Sequence, residues 1–423
     1  MLGASTNFPF PVGAVASSGC ATTVGKAAGR RPRRLPRMTI TEARPDLAPV
    51  LELLERRRAE GWHDGAQCYV SRYGEALLDT AIGESRSGRA LEPDDLMLLY
   101  SAGKPVTVVA VLQLWQQAKL GLDDRVADYV DVWGAGKERC TIRHVLTHTG
   151  GFPNADAKLF DADLPYDEVV ARIAASPARW EPGTDAAYHP SSGWKILGAI
   201  VERVDGRPID RYVREEVFAP LGVENIRLGV PVDEQPTFGE RIVPVAWRGH
   251  VMPIVEADGG LQMVPYRVDR YHNEPYFVAK VEPGGGMRGP ARELGRFYES
   301  MLGFGPPVLD PRTVEAMRAV HRFGIKDRLF RTNIPWGLGV QVQFSGGTGR
   351  RAFGHGGMAS SRALADPEYG LVMAVVTNGL PGFLEAEQRL FEVTDAVYSA
   401  LGEDVARTRQ RAVPLQELYG FST

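Results

Sequence analysis

Apolar positions along the chain fall into two recurring spacings. Leu47, Val50, Leu51 and Leu54 recur every three or four residues, which predicts a helix over 46–60. Alternation over 67–72 and 76–82, around a Gly-containing turn, predicts a β-hairpin. A short apolar run over 96–100 ends at Ser101, and Val106, Val109, Ala110, Leu112 and Leu114 predict a helix over 104–119. Helical patterns follow over 141–151, 166–176, 191–204, 209–221, 290–302 and 311–320, the first stopped by Gly150 and Gly151. Strand patterns return over 339–344, 351–354, 360–366 and 371–377, and an amphipathic helix over 383–401 closes the series.

Strands at both ends and helices between them predict one sheet assembled from distant segments. The fold class is therefore α/β (α+β), an antiparallel sheet flanked by helices with an inserted, mostly helical lobe. The boundaries place a disordered leader at 1–37, the sheet domain at 38–115 and 285–423, and the helical insert at 116–284. Residues 230–280 lose periodicity yet carry Trp247, Met252, Met263, Tyr266, Tyr271, Tyr276 and Phe277. That irregular segment either lines a pocket or packs on its own aromatics.

A chain of 423 residues, 44% hydrophobic, buries a large core, and a net charge of −3 gives no electrostatic case for nucleic acid or an anionic membrane. Small molecules are the expected partners. Cys20, Cys68 and Cys140 are odd in number and widely spaced, so neither a disulfide framework nor a Cys-based zinc site is predicted. In the leader, the apolar stretch 8–15 is short and precedes the basic run Arg30-Arg31-Pro32-Arg33-Arg34, the reverse of a secretory signal. With no run of 18 apolar residues, a cytoplasmic location without membrane association is expected.

The chemistry concentrates at Ser101. Pro105 is at home only in the first turn of a helix, so Ser101 stands at a helix N-terminus with Lys104 one turn on, an amine beside a hydroxyl. An alcohol becomes a nucleophile when a neighbouring base takes its proton. A Ser cap followed by a solvated Lys accounts for the same letters, and the pattern recurs at Ser192 to Lys195 without a preceding strand. His144 and His148, four apart, lack the Glu of a hydrolytic zinc helix and are read as structural. Gly284-Gly285-Gly286 lacks a phosphate-loop spacing and is read as a tight turn. Tyr188, in a loop before a helix, is suited to presenting a phenol. Phe353-Gly354 leads into His355-Gly356-Gly357-Met358, where missing side chains permit close backbone approach.

As an ordered set, Ser101-Ala102-Gly103-Lys104, Leu146-Thr147-His148-Thr149-Gly150-Gly151, Tyr188-His189-Pro190 and His355-Gly356-Gly357 resemble the serine β-lactamase and penicillin-binding protein superfamily, over about 45–400. The closer likeness is to its class C-like branch of carboxylesterases and acyltransferases. The resemblance implies a β-lactamase/transpeptidase-like fold, with Ser101 the acylated nucleophile and Lys104 its base. Tyr188 would share the base role and protonate the leaving group, and His355 would occupy the third motif. The N–H groups of Ser101 and Met358 would form an oxyanion hole, with Gly356 and Gly357 beside the substrate. Lactamases and peptidases of this superfamily carry Asn where Pro190 stands, and usually Lys where His355 stands. Both departures favour a neutral ester. The expected function is a serine hydrolase cleaving carboxylic esters through an acyl-enzyme. The alternatives are an acyltransferase using the same intermediate, a weak β-lactamase or D-aminopeptidase-type amidase, and a non-catalytic binding protein. No metal or cofactor is called for, and the oligomeric state is not specified.

Overall fold

The computed structural model describes residues 46–402, apart from 154, 156–163, 256–260, 268, 270 and 344–347. The leader predicted for 1–37 lies outside the described residues, as does the end of the strand expected over 339–344.

In chain order the strands are β1 (Gly65–Arg72), β2 (Glu75–Arg86), β3 (Arg89–Ala90), β4 (Met97–Leu98), β5 (Arg227–Leu228), β6 (Ala246–Arg248), β7 (Val251–Val255), β8 (Leu261–Pro265), β9 (Met287–Gly289), β10 (Gln341–Val342), β11 (Phe353–Gly357), β12 (Ser361–Asp366), β13 (Leu371–Thr377) and β14 (Gly379–Pro381). The helices are α1 (Ala48–Ala59), α2 (Lys104–Gln116), α3 (Ile142–Leu146), α4 (Tyr166–Ala175), α5 (Ser192–Asp205), α6 (Ile209–Tyr212), α7 (Gln235–Phe238), α8 (Pro275–Ala279), α9 (Ala291–Met301), α10 (Pro311–Arg318) and α11 (Phe383–Ala400).

A seven-stranded sheet runs in the order β10-β11-β12-β13-β1-β2-β3 and is antiparallel throughout. Its centre is the β1–β13 pair, in register from Ala66 opposite Thr377 to Arg72 opposite Leu371. Every residue of β13 is buried because both faces of the sheet are covered. Successive side chains point to opposite faces. Tyr69, Val372, Ala374 and Val376 therefore meet Leu294, Phe297 and Tyr298 of α9, while Cys68, Val70, Met373 and Val375 meet α1 and α11 through Leu54, Leu390, Val393 and Val397. Gly295 lets α9 approach closely, since a methyl group there would stand 2.2 Å from the Tyr69 ring.

α2 is buried from Lys104 to Leu114, which is why its sequence is apolar around the whole circumference rather than along one stripe. α5 packs beside it, and Trp194 Nε1 donates to the Lys104 carbonyl at 3.0 Å. The helix expected over 209–221 is instead α6, a π-helical segment Val213–Phe218 and a 3₁₀ turn Ala219–Leu221. Pro220 has no N–H to give the carbonyl four residues earlier, that of Glu216, and clashes with it in an α-helix. Gln113 Nε2 takes that carbonyl at 3.0 Å. Residues 230–280 are less irregular than their sequence suggests: β7 and β8 form an antiparallel hairpin and β6 pairs in parallel with β14. No helix among the described residues is long and apolar enough to cross a membrane.

Candidate active site

β4 delivers the chain into a short 3₁₀ turn, Tyr100–Gly103, from which α2 continues. Tyr100 takes a left-handed conformation, φ +48°, an uncommon choice for a bulky residue. Two bonds hold it in place: the Leu99 N–H donates to the Met287 carbonyl at 2.9 Å, and the buried Tyr100 phenol bonds to His272 Nδ1 at 3.0 Å. The bend brings Ser101 to a partly exposed position while Tyr100, Ala102, Gly103 and Lys104 stay buried. A partly exposed hydroxyl above a buried amine is accessible to a substrate from one side only.

Lys104 is 0% exposed, and its Nζ lies 3.0 Å from Ser101 Oγ. The same nitrogen donates to the Pro190 carbonyl at 2.5 Å and to the Gly284 carbonyl. It sits between the rings of Tyr188 and Trp194, 5.3 and 5.0 Å from their centroids. A neutral amine that gives N–H groups to these two carbonyls can accept the Ser101 O–H with its lone pair. That is the orientation a general base requires.

Burial pushes the proton affinity of the Tyr188 phenol above the ordinary phenol value, and the neighbouring Ser101 side chain pulls the other way by less. The phenol is thus protonated at neutral pH. Its backbone N–H donates to Asp327 Oδ1 at 3.2 Å, and Asp327 is held by Arg322 at 3.2 Å and by the N–H groups of Leu329 and Phe330. His148, Phe330, Trp336 and His355 surround the ring at centroid distances of 4.7, 5.3, 6.1 and 5.8 Å.

His355 lies in β11 opposite Ala363, and at 5% exposure it is part of the wall rather than the rim. Burial, with the Lys104 amine adding to it, draws the imidazole down to about 3. The ring is neutral at physiological pH. Its Nδ1 is 2.5 Å from the Gly356 carbonyl, so Nδ1 carries the hydrogen and Nε2 is the acceptor. At Gly357 a methyl group would stand 2.6 Å from the Leu99 carbonyl and 2.1 Å from Ser361 Oγ. Only glycine lets the end of β11 lie against the Ser101 turn, where Ser361 Oγ donates to the Leu99 carbonyl at 2.6 Å. Gly356 is open, its nearest neighbour 3.9 Å from a built Cβ. Met358 packs with Tyr266 and Tyr271 against Leu98, Tyr100 and Leu380, which brings two aromatics of the 230–280 segment beside the site.

The structure thus brings Ser101, Lys104, Tyr188, His355, Gly357 and Met358 into one neighbourhood. His144 and His148 part company. Nδ1 of His144 accepts from the Thr141 N–H and completes the cap of α3, while His148, buried and neutral, accepts from the His189 N–H at 3.0 Å. The residues that sequence reasoning missed are the carbonyls of Pro190 and Gly284 and the buried cluster Ser191, Lys195 and Glu282 behind them. The second Ser-x-x-Lys pattern was the available signal, but the serine bonded to Lys195 is Ser191, whereas Ser192 donates to the Phe152 carbonyl.

A family model described as Beta-lactamase matches residues 50–397. Esterase EstB of Burkholderia gladioli is 31% identical over 280 residues, 58% of this chain and 68% of EstB. Among solved structures, a family VIII carboxylesterase superposes with a TM-score of 0.72 at 22% identity, covering 84% of this chain and 98% of its own. A penicillin-binding protein homologue from Caulobacter crescentus gives 0.70 at 26% identity, covering 85% and 99%.

Proposed function

Because the chain belongs to the beta-lactamase family, we propose that it is a serine hydrolase that cleaves carboxylic esters of small molecules through an acyl-enzyme on Ser101. The observation that carries the reading is the Ser101 hydroxyl 3.0 Å from a buried Lys104 amine that also donates to the Pro190 and Gly284 carbonyls.

Ser101 Oγ adds to the ester carbonyl carbon as its proton passes to Lys104. The oxyanion that forms is met by the N–H groups of Ser101 and Met358. Such donors contribute about 3 kcal/mol each, because they point at charge that develops only in the tetrahedral state. Collapse breaks the bond to the alcohol oxygen, which takes the proton from Lys104 through the Tyr188 phenol. A phenol held protonated by its burial serves as a relay between amine and leaving group, so Lys104 carries the base role and Tyr188 passes the proton. Water repeats the sequence on the acyl-enzyme and frees Ser101; an alcohol or amine in its place gives acyl transfer. The neutral His355 imidazole and Pro190, which has no side-chain amide, offer nothing to a substrate carboxylate or amide side chain. Both therefore support an ester over a β-lactam or peptide.

Hydrolysis of p-nitrophenyl esters and labelling by a fluorophosphonate probe test this. The wild type should release nitrophenol and take up one probe at Ser101, and Ser101→Ala should lose both, with kcat/KM down by about 10³-fold or more. A wild type inert in both assays, with Ser101→Ala retaining ligand affinity, makes the protein a binding module instead. Faster turnover of a chromogenic cephalosporin than of any ester overturns the substrate class.

A further inference from the structure

Behind Lys104 lies a second charged cluster in the protein interior. Glu282 and Lys195 form an ion pair whose side chains are 0% and 3% exposed. Ser191 joins them, accepting from Lys195 Nζ at 2.8 Å and donating to Glu282 Oε1 at 2.8 Å. Burying two charges is costly, and a hydrophobic pair of similar volume is frequently as stable, so stability alone does not account for a fully buried ion pair. Its attachments suggest what does. Glu282 Oε1 also accepts from the Gly284 N–H at 3.2 Å, and the carbonyl of Gly284 is one of the two that hold Lys104. Ser191 follows Pro190, whose carbonyl is the other. A Cβ on Gly284 would stand 3.0 Å from the Pro190 carbonyl oxygen and 3.1 Å from Glu282 Oε1, so the two segments are in close contact.

We infer that Glu282, with Lys195 and Ser191, is a positioning device that fixes both carbonyl anchors of Lys104 and sets how readily that amine gives up its proton. The inference rests on the reading of Lys104 as the base for Ser101. One residue, Gly284, separates the Glu282 carboxylate from the carbonyl that Lys104 touches, so the charges of the pair act on the amine through protein rather than through water. The other titratable groups around the amine are Tyr188, His148 and His355, the phenol protonated and the imidazoles unprotonated at neutral pH. Arg322 and Asp327 stand behind Tyr188 as a second buried pair. Tyr166, whose phenol donates to the Lys195 carbonyl, is uncharged. The charged groups near Lys104 are therefore paired, and removing one member exposes the amine to the other.

The test is the acid limb of the pH profile of kcat/KM for a p-nitrophenyl ester, which reports the base of the free enzyme. Glu282→Gln leaves Lys195 uncompensated and should move the limb down by about one pH unit; Lys195→Met leaves Glu282 uncompensated and should move it up by about as much. A role limited to packing lowers the amount of folded enzyme without moving either limb. Limbs that stay put, or move in the same direction, overturn the inference. Should either variant fail to fold, Ser191→Ala decides: kcat should fall about tenfold with KM within twofold, and Ser191→Thr should restore it. Wild-type kcat in Ser191→Ala, or a loss that Thr does not repair, overturns it as well. Failure of the wild type to hydrolyse esters or bind the fluorophosphonate would instead remove the parent reading, so the two failures are told apart.

Discussion

Gly357 is where β11 touches the Ser101 turn, with Leu99, Tyr100 and Ser361 crowding the space a side chain would need. Gly357→Ala must push β11 away from the Ser101 turn, and with it the Met358 N–H. A displacement of that kind costs reaction geometry more than it costs folding. The expected outcome is a stability loss of about 1–3 kcal/mol in denaturant unfolding and a kcat fall of about 100-fold. Gly356→Ala, in open space, should stay within about 0.5 kcal/mol of the wild-type stability. Equal stability losses in both variants would dissociate packing at Gly357 from the Ser101 turn. The pairing of Ser101 with Lys104 is legible in the sequence because it is local, three residues apart across one helical turn. The carbonyls that Lys104 also meets are not. They lie 86 and 180 residues away, and a carbonyl has the same appearance in every sequence. Glu282 and Lys195 read as solvated charges until the fold buries them together.

At the scale of elements, the hairpin of β1 and β2 and the helices α1, α2, α9 and α11 follow from apolar spacing, since each buries a continuous face or run. Elements that pair across long sequence distances were harder to read. β10 is two residues long, β9 joins β4, which precedes the insert, to β5 within it, and the hairpin of β7 and β8 contains Pro253, a residue that argues against a strand. Pro220 likewise broke a helix whose apolar spacing runs on unbroken, because Gln113 was available to take the freed carbonyl. Asn378 shows how strongly one side chain can tie such elements together. Its amide accepts from the N–H groups of Asp64 and Gly65 at 3.1 and 2.8 Å and donates to the carbonyls of Glu84 and Ser85 at 2.9 and 3.4 Å, joining the end of β13 to β1 and β2. Asn378→Ala removes four bonds to main-chain groups, two of them fully buried. It should cost about 2–4 kcal/mol, read as a lowered denaturation midpoint. Activity per folded molecule should be unchanged, because none of the four belongs to the Ser101 site. A loss of kcat in fully folded protein would show that the β1–β13 junction is coupled to catalysis.

Over the whole molecule, the interior holds its histidines neutral. Burial draws His63 down to about 2, with Arg389 adding to it, His189 and His355 to about 3, and His250 to about 4, and it holds His148 and His272 well below the usual range. In the unfolded chain these imidazoles titrate near 6.5. Above that pH both states bind the same protons, and the stability that burial of neutral rings allows is fully present. As the pH falls below 6.5 the unfolded chain takes up protons the folded chain refuses, and each histidine removes up to about 1.4 kcal/mol per pH unit until its folded value is reached. Asp366, Glu202 and Glu387, raised by burial, act in the opposite sense, because the folded state protonates them first. Their offset accrues as the pH falls from their raised folded values to the unfolded values near 4, and three carboxyls offset only part of what six histidines remove. The denaturation midpoint should therefore be level from about pH 7 upward and fall steeply from pH 6.5 towards 4.5. Urea titrations at half-unit intervals would show it. Since three of the six rings, His148, His189 and His355, are gathered at the Ser101 site, the same acidification should unfold the protein from its catalytic side, and ester hydrolysis should be lost no later than the far-ultraviolet helical signal. A midpoint flat between pH 7 and 5 would mean that the interior admits water or protons to these rings. The neutral His355 on which the preference for uncharged esters rests would then have to be given up.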